Sequence, residues 1–151
     1  MHYGIDIARK NRVIFEKYLN TLTLDELNKV PKAFKNSIIW NIAHTVVTQQ
    51  ILVYRLSELP MLLPQEVIDR YKKATKHEQD VDQTEVDYIK SILFSTLDQT
   101  EKDYRAGVFK NFTEYTVSTG STLTNVDEAL AFNNFHEGIH LGYIMAMKKV
   151  L

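Results

Sequence analysis

The sequence predicts an all-α protein, a bundle of four long helices, from three observations. Only five glycines and three prolines interrupt 151 residues, so the chain forms long unbroken segments, which suit helices better than strands. Apolar residues recur along these segments at three-, four- and seven-residue intervals. Ser, Thr, Asp and Asn stand at the segment starts, where their side chains accept the unpaired N–H groups of a first helical turn. The length fits one domain spanning residues 1–151, large enough to bury a core without cross-links.

The first helix is expected from about Ile5 to Leu22. Ile5, Ala8, Phe15, Leu19 and Leu22 form its apolar stripe, and Arg9, Lys10, Arg12, Glu16 and Lys17 its solvated side. Thr23-Leu24-Asp25-Glu26 is a capping-box pattern that opens a short helical turn, ended by Pro31. The second helix starts at Asn36 or Ser37 and runs to about Ser57. It is the most apolar stretch, and its length decides for helix over strand despite its β-branched residues. Residues 58–82 form a long connection between helices two and three, a crossover rather than a tight hairpin. Within it, Gln65 to Lys73 suggests a short helix and His77-Glu78-Gln79-Asp80 a polar loop. The third helix opens with the capping pattern Asp82-Gln83-Thr84-Glu85, carries Val86, Ile89, Leu93, Leu97 and Tyr104, and stops at Gly107. Residues 109–124 read as a loop with a short extended piece and a break at Gly120. The fourth helix follows Thr124 as N-cap, places Asp127 and Glu128 in its first turn and runs to about Val150. Leu130, Phe132, Phe135, Ile139, Tyr143, Ile144 and Met147 supply its apolar content.

Composition excludes several functions. Without cysteine there is no disulfide scaffold, thiolate zinc finger, iron–sulfur cluster or cysteine nucleophile. Eighteen Lys+Arg against nineteen Asp+Glu, a net charge of -1, leave no basic excess for nucleic acid. No apolar run reaches the ~18 residues of a membrane-spanning helix. The first residues lack the charged-then-apolar pattern of a secretory signal. The expected compartment is the cytoplasm, with neither nucleic acid nor membrane as partner.

Three of the five histidines stand out. His136 and His140 are four apart, one turn apart on one helix face, where both imidazoles reach a single divalent ion. His44 lies within the apolar second helix, where a buried imidazole needs a partner. It is either a hydrogen-bonded core residue or a third ligand brought opposite the pair, which leaves positions on the ion open to water or substrate. His2, near the terminus, and His77, in the polar loop, are expected to be solvated. His136-Glu137-Gly138-Ile139-His140 also matches the H-E-x-x-H helix of zinc proteases, with Glu137 as general base. The eleven residues after His140 contain no His, Asp or Glu to complete such a site. Glu137 is better placed beside the ligand face, roughly 100° around the helix. A di-iron carboxylate bundle needs a second Glu-x-x-His pair, which the sequence lacks.

Three segments in order, Ser37-Ile38-Ile39-Trp40-Asn41-Ile42-Ala43-His44, Leu123 to Leu130 with its Leu-Thr and Glu-Ala-Leu, and His136-x-x-x-His140-x-Gly142-x-Ile144, carry a family resemblance. Together they make the chain similar to the DinB/YfiT-like superfamily of metal-dependent four-helix-bundle proteins, over nearly its whole length. The resemblance implies an up-down-down-up topology and a homodimer. It also implies a three-histidine site of His44, His136 and His140. Members with assigned chemistry resemble thiol-dependent S-transferases or isomerases. Many members carry a glutamine where this chain has Tyr143.

Three neutral imidazoles leave the charge of a divalent ion, zinc or nickel, largely uncompensated. A coordinated thiol is then deprotonated, or a water acidified toward pKa ~7. The sequence thus points to a metal-dependent enzyme, a thiol-dependent S-transferase or small-molecule hydrolase, whose substrate is a small molecule and whose cosubstrate is a low-molecular-weight thiol. The alternative is a non-catalytic metal- or ligand-binding bundle. Thr48 and Asn133 are candidate neighbours of the ligands, and Gly138 and Gly142 lie on the opposite face.

Overall fold

The structure, a computed structural model, describes residues 2–151. Its helices are α1 (Tyr3–Thr21), α2 (Leu24–Asn28), α3 (Ile38–Gln50), α4 (Gln65–Tyr71), α5 (Gln83–Arg105) and α6 (Val126–Lys148). A π-helical turn, Ile51–Arg55, prolongs α3, and a hairpin pairs β1 (Tyr115–Thr116) antiparallel with β2 (Thr122–Leu123). The protein is therefore mostly helical. Helix α1 packs against α5 and α6, and α3 packs against the same two, so the four long segments close a ring. Among the described residues, no helix is long and apolar enough to cross a membrane.

Local chemistry sets the element ends. Thr23 and Glu26 form the expected reciprocal capping box of α2. Ser37, not Asn36, caps α3 by accepting from the N–H of Trp40. At Asp82 only half of the box forms, with its side chain accepting from the N–H of Glu85. Gly107 ends the α5 segment at φ +66°, which a side chain disfavours. The cap of α6 is Asn125 rather than Thr124, whose own N–H and hydroxyl instead donate to Glu128. His2 and His77 are not solvated as expected. His2 caps α1 by accepting from the N–H of Gly4. His77 Nδ1 lies 2.8 Å from Ser37 Oγ and its Nε2 3.0 Å from Asp80.

The main core joins Phe15 and Leu19 of α1 to Ile39, Ile42 and Val46 of α3, Ile89 and Leu93 of α5, and Ile144 and Met147 of α6. At its edges, residue type and burial part company. Phe135, Ile139 and Tyr143 of α6 are half exposed, because the histidine-bearing and outward faces of that helix leave only a narrow strip for the core. Arg12, expected in water, is completely buried, and so is Glu137. Arg12 Nη2 lies 3.2 Å from Glu137 Oε1, and its Nη1 donates to the carbonyl of Leu93 at 2.6 Å and to Thr96 at 2.8 Å. Asn11 and Asn133 donate to the same carboxylate. Burial lowers the Arg12 pKa, and Glu137 offsets part of that by stabilising the charged form.

Such a pair resists loss of one member far more than loss of both. Glu137→Ala is expected to lower the unfolding free energy by about 3–5 kcal/mol. The double change Arg12→Met with Glu137→Leu should cost much less than either single truncation. Urea denaturation of Glu137→Ala, Arg12→Ala and the double variant checks both statements.

Candidate metal centre

The apolar helix α3 carries His44 with Trp40, Asn41 and Thr48 each three or four residues from it, hence on adjoining turns. Helix α6 faces it with His136 and His140. The structure brings all three candidate histidines together: one ligand atom from each lies within 4.8 Å of the others. The rings of His44 and His136 have centroids 5.1 Å apart, and those of His44 and His140 are 4.8 Å apart.

Two of the rings are held, each by different means. His44 Nδ1 donates to the carbonyl of Tyr71 at 2.6 Å. That carbonyl is free to accept because it belongs to the last turn of α4, where no helical N–H reaches it. The Tyr71 hydroxyl bonds Glu85, which also pairs with Arg70 at 2.6 Å, so the carbonyl is anchored from behind. Trp40 stacks on the His44 ring at 4.6 Å and 12°. His140 Nδ1 donates to Asn41 Oδ1 at 2.8 Å, and the Asn41 amide is oriented by donating to the Ser37 carbonyl. With both Nδ1 atoms committed, His44 and His140 present Nε2 lone pairs to the centre. Thr48 Oγ1 lies 3.4 Å from His44 Nε2. His136 Nε2 lies 3.2 Å from His140 Nε2, a spacing that two nitrogens take on one tetrahedral ion with bonds of ~2.0–2.1 Å. His136 Nδ1 is buried without a partner among the described residues.

The donor set also fits an ion in its charge. Burial pushes the imidazoles of His136 and His140 down to about 3, with the neighbouring rings adding to the effect. Burial lowers His44 too, against the opposing effect of its bond to Tyr71. All three are neutral at pH 7, the form that binds metal.

Sequence reasoning missed several contributors. Asn41, on α3, holds His140 on the facing helix. Asn133 serves Glu137, not a histidine. The Tyr71 carbonyl has no sequence signal, since every residue has one. Arg12 and Glu137 did carry one. Arg12 fills the gap in the stripe Ile5–Ala8–Phe15–Leu19, and Glu137 falls in Leu130–Asn133–His140–Ile144, both at heptad intervals. Glu137 is engaged by its ion pair with Arg12, so it is not placed to act as the general base of a zinc protease.

The depressed imidazoles set a pH dependence for metal-free protein. As pH falls below the ordinary value of 6.5 the unfolded chain takes up protons that the folded site refuses until about 3. Their contribution is complete above pH 6.5 and is lost on acidification, at about 1.4 kcal/mol per pH unit for each histidine. Urea midpoints measured between pH 7 and 5 should therefore fall more steeply for the native chain than for a His136→Gln/His140→Gln variant.

Comparison with curated proteins finds no match. Residues 8–144 match the DinB superfamily, a span that contains all three histidines, the whole of α3 and α4 and most of α6. The chain belongs to the DinB superfamily.

Proposed function

We propose that His44, His136 and His140 hold one divalent ion, zinc or nickel, and that the protein is a metal-dependent transferase joining a low-molecular-weight thiol to a small electrophile. The observation that carries this reading is the convergence of three neutral imidazoles from two helices, two of them with the proton fixed on the far nitrogen. When bound, the ion supplies the positive charge that makes a thiol or water at its open positions acidic enough to react near neutral pH.

The chain's own part is to leave room and orient. A cavity of about 460 Å³ opens on His44 and His136, and another of about 540 Å³ opens on His44 and His140. Two chambers meeting at one site favour a two-reactant transfer over hydrolysis, which needs space for one substrate and water. His44 borders both, with Trp40 stacked against it to keep the ring from turning.

The same reading takes the ring of long helices as an up-down-down-up bundle forming one domain, working in the cytoplasm as a homodimer. The outward face of α6 supports the dimer. Phe135, Tyr143 and Met145 are each about half exposed there, and Gly138 and Gly142 have open space beside them. Between Glu128 and Lys148 the only charged residue is the buried Glu137.

Metal analysis of tag-free protein should find one divalent ion per chain, with most of it lost in His136→Ala or His140→Ala. Protein that stays substoichiometric after reconstitution contradicts the reading, and metal-loaded protein inactive with every thiol and electrophile pair reduces it to a binding module. Asn41→Leu should keep the ligands but release the His140 ring, weakening metal affinity by about 10- to 100-fold in a competition titration with a chelator.

A further inference from the structure

The cavity over His44 and His136 has a charge pattern that the metal site does not require. It is bordered by Arg55, Lys72 and Lys73 and by no Asp or Glu, in a chain with nineteen acidic residues. Lys72 is engaged, 2.6 Å from Asp69. Arg55 and Lys73 make no ion pair within 4 Å among the described residues, although Asp69 feels the Arg55 charge from further off, and both are exposed, so two cations with unfilled hydrogen-bonding capacity stand at the rim of a chamber that His44 and His136 also line. Its wall is apolar: Leu52 and Val117 are buried, and Phe132 packs in the same cluster.

The backbone aims both cations. His44, Thr48, Leu52 and Arg55 follow one another along one rod and all line the cavity, which therefore leads from the site to the guanidinium. At ~1.5 Å per residue the eleven-residue separation spans about 16 Å, the scale of a small molecule with the reach of an arginine added. Arg55 closes the π-helical turn, a geometry that accumulates at functional sites. Lys73 follows the Tyr71 carbonyl that holds His44, and precedes Ala74 at φ +71°, a left-handed conformation unfavourable for a residue with a Cβ. Backbone strain of this kind recurs at ligand clamps.

We propose that this cavity selects a small molecule with an apolar body and an anionic end group, a carboxylate or phosphate, which Arg55 and Lys73 hold at the rim. The apolar body lies along Leu52, Val117 and Phe132, and the reactive end reaches His44 and His136. The volume of about 460 Å³ suits a molecule of that size. Arg55 provides a planar fork for two oxygens, and Lys73 a point charge. The assignment of the reactive end rests on the transferase reading above. The anion site rests only on the rim.

The experiment titrates the full chain, metal-free and zinc-loaded, with phenylbutyrate, phenylpropyl phosphate and the neutral phenylbutanamide, following backbone amide NMR shifts. Both forms should bind at least one anion about tenfold more tightly than the amide, as expected for charge-assisted hydrogen bonds. Shifts should concentrate near Val117 and Phe132. Arg55→Gln and Lys73→Met should bring the anion down to the affinity of the amide without altering zinc stoichiometry. The stronger of the two anions identifies the end group. Equal binding of anions and amide, no binding of any probe, or an anion preference that survives both substitutions overturns the proposal. A preference that requires zinc and ignores the substitutions places the anion on the ion, which overturns the rim site and leaves the metal reading intact. A rim-dependent preference in a chain that takes up no zinc does the reverse.

Discussion

The buried pair of Arg12 and Glu137 constrains the rest of the molecule. A guanidinium and a carboxylate removed from water are tolerable only when each finds the other and their remaining hydrogen-bonding groups find partners. Here that requirement recruits Leu93 and Thr96 of α5, Asn11 of α1 and Asn133 of α6. Three helices are thereby locked in rotation as well as in distance, which apolar contact alone does poorly because a Leu can turn against a Leu at little cost. Once Glu137 must face α1 and α5, the neighbouring His136, about 100° around the helix, must face α3. His140, one turn on, follows it. The ion pair and the histidine site are two consequences of one helix rotation.

The site reflects a second constraint. A neutral imidazole serves as a ligand only with a lone pair aimed at the centre, so its other nitrogen has to be tied elsewhere. The protein supplies two ties of different kinds: a backbone carbonyl released by the end of the short helix α4, and a side-chain amide one turn from the start of α3. The long connection between α3 and α5 is thereby explained. It brings the last turn of α4 to His44, and the same stretch carries Lys73 to the rim of the neighbouring cavity. A tight hairpin would have left His44 without its acceptor.

Much of this was legible before any coordinates. Long segments with few breakers, caps at Thr23, Ser37 and Asp82, and the i, i+4 histidines place the helices and two of the three imidazoles, because caps and periodicity are local properties of backbone and neighbouring side chains. Where the reading failed, it failed at polar residues in apolar phase. Arg12 was put in water because it is an arginine, although its position continues the stripe from Ile5 to Leu19. Phe135, Ile139 and Tyr143 belong to the apolar content of α6 yet stay half exposed, because the histidines on the same helix take the neighbouring strip.

By itself, then, the sequence determined the helices, their boundaries to within a few residues, and the residue types able to hold a divalent ion, since each follows from interactions within a turn or two of chain. Tertiary structure alone decided that His44 meets His136 and His140, that Asn41 and the Tyr71 carbonyl orient two of the rings, and that Glu137 is spent on Arg12 rather than on chemistry. Those outcomes depend on how far each rod is rotated about its own axis. That rotation is set by contacts between residues 27 to 126 positions apart, which no local pattern specifies.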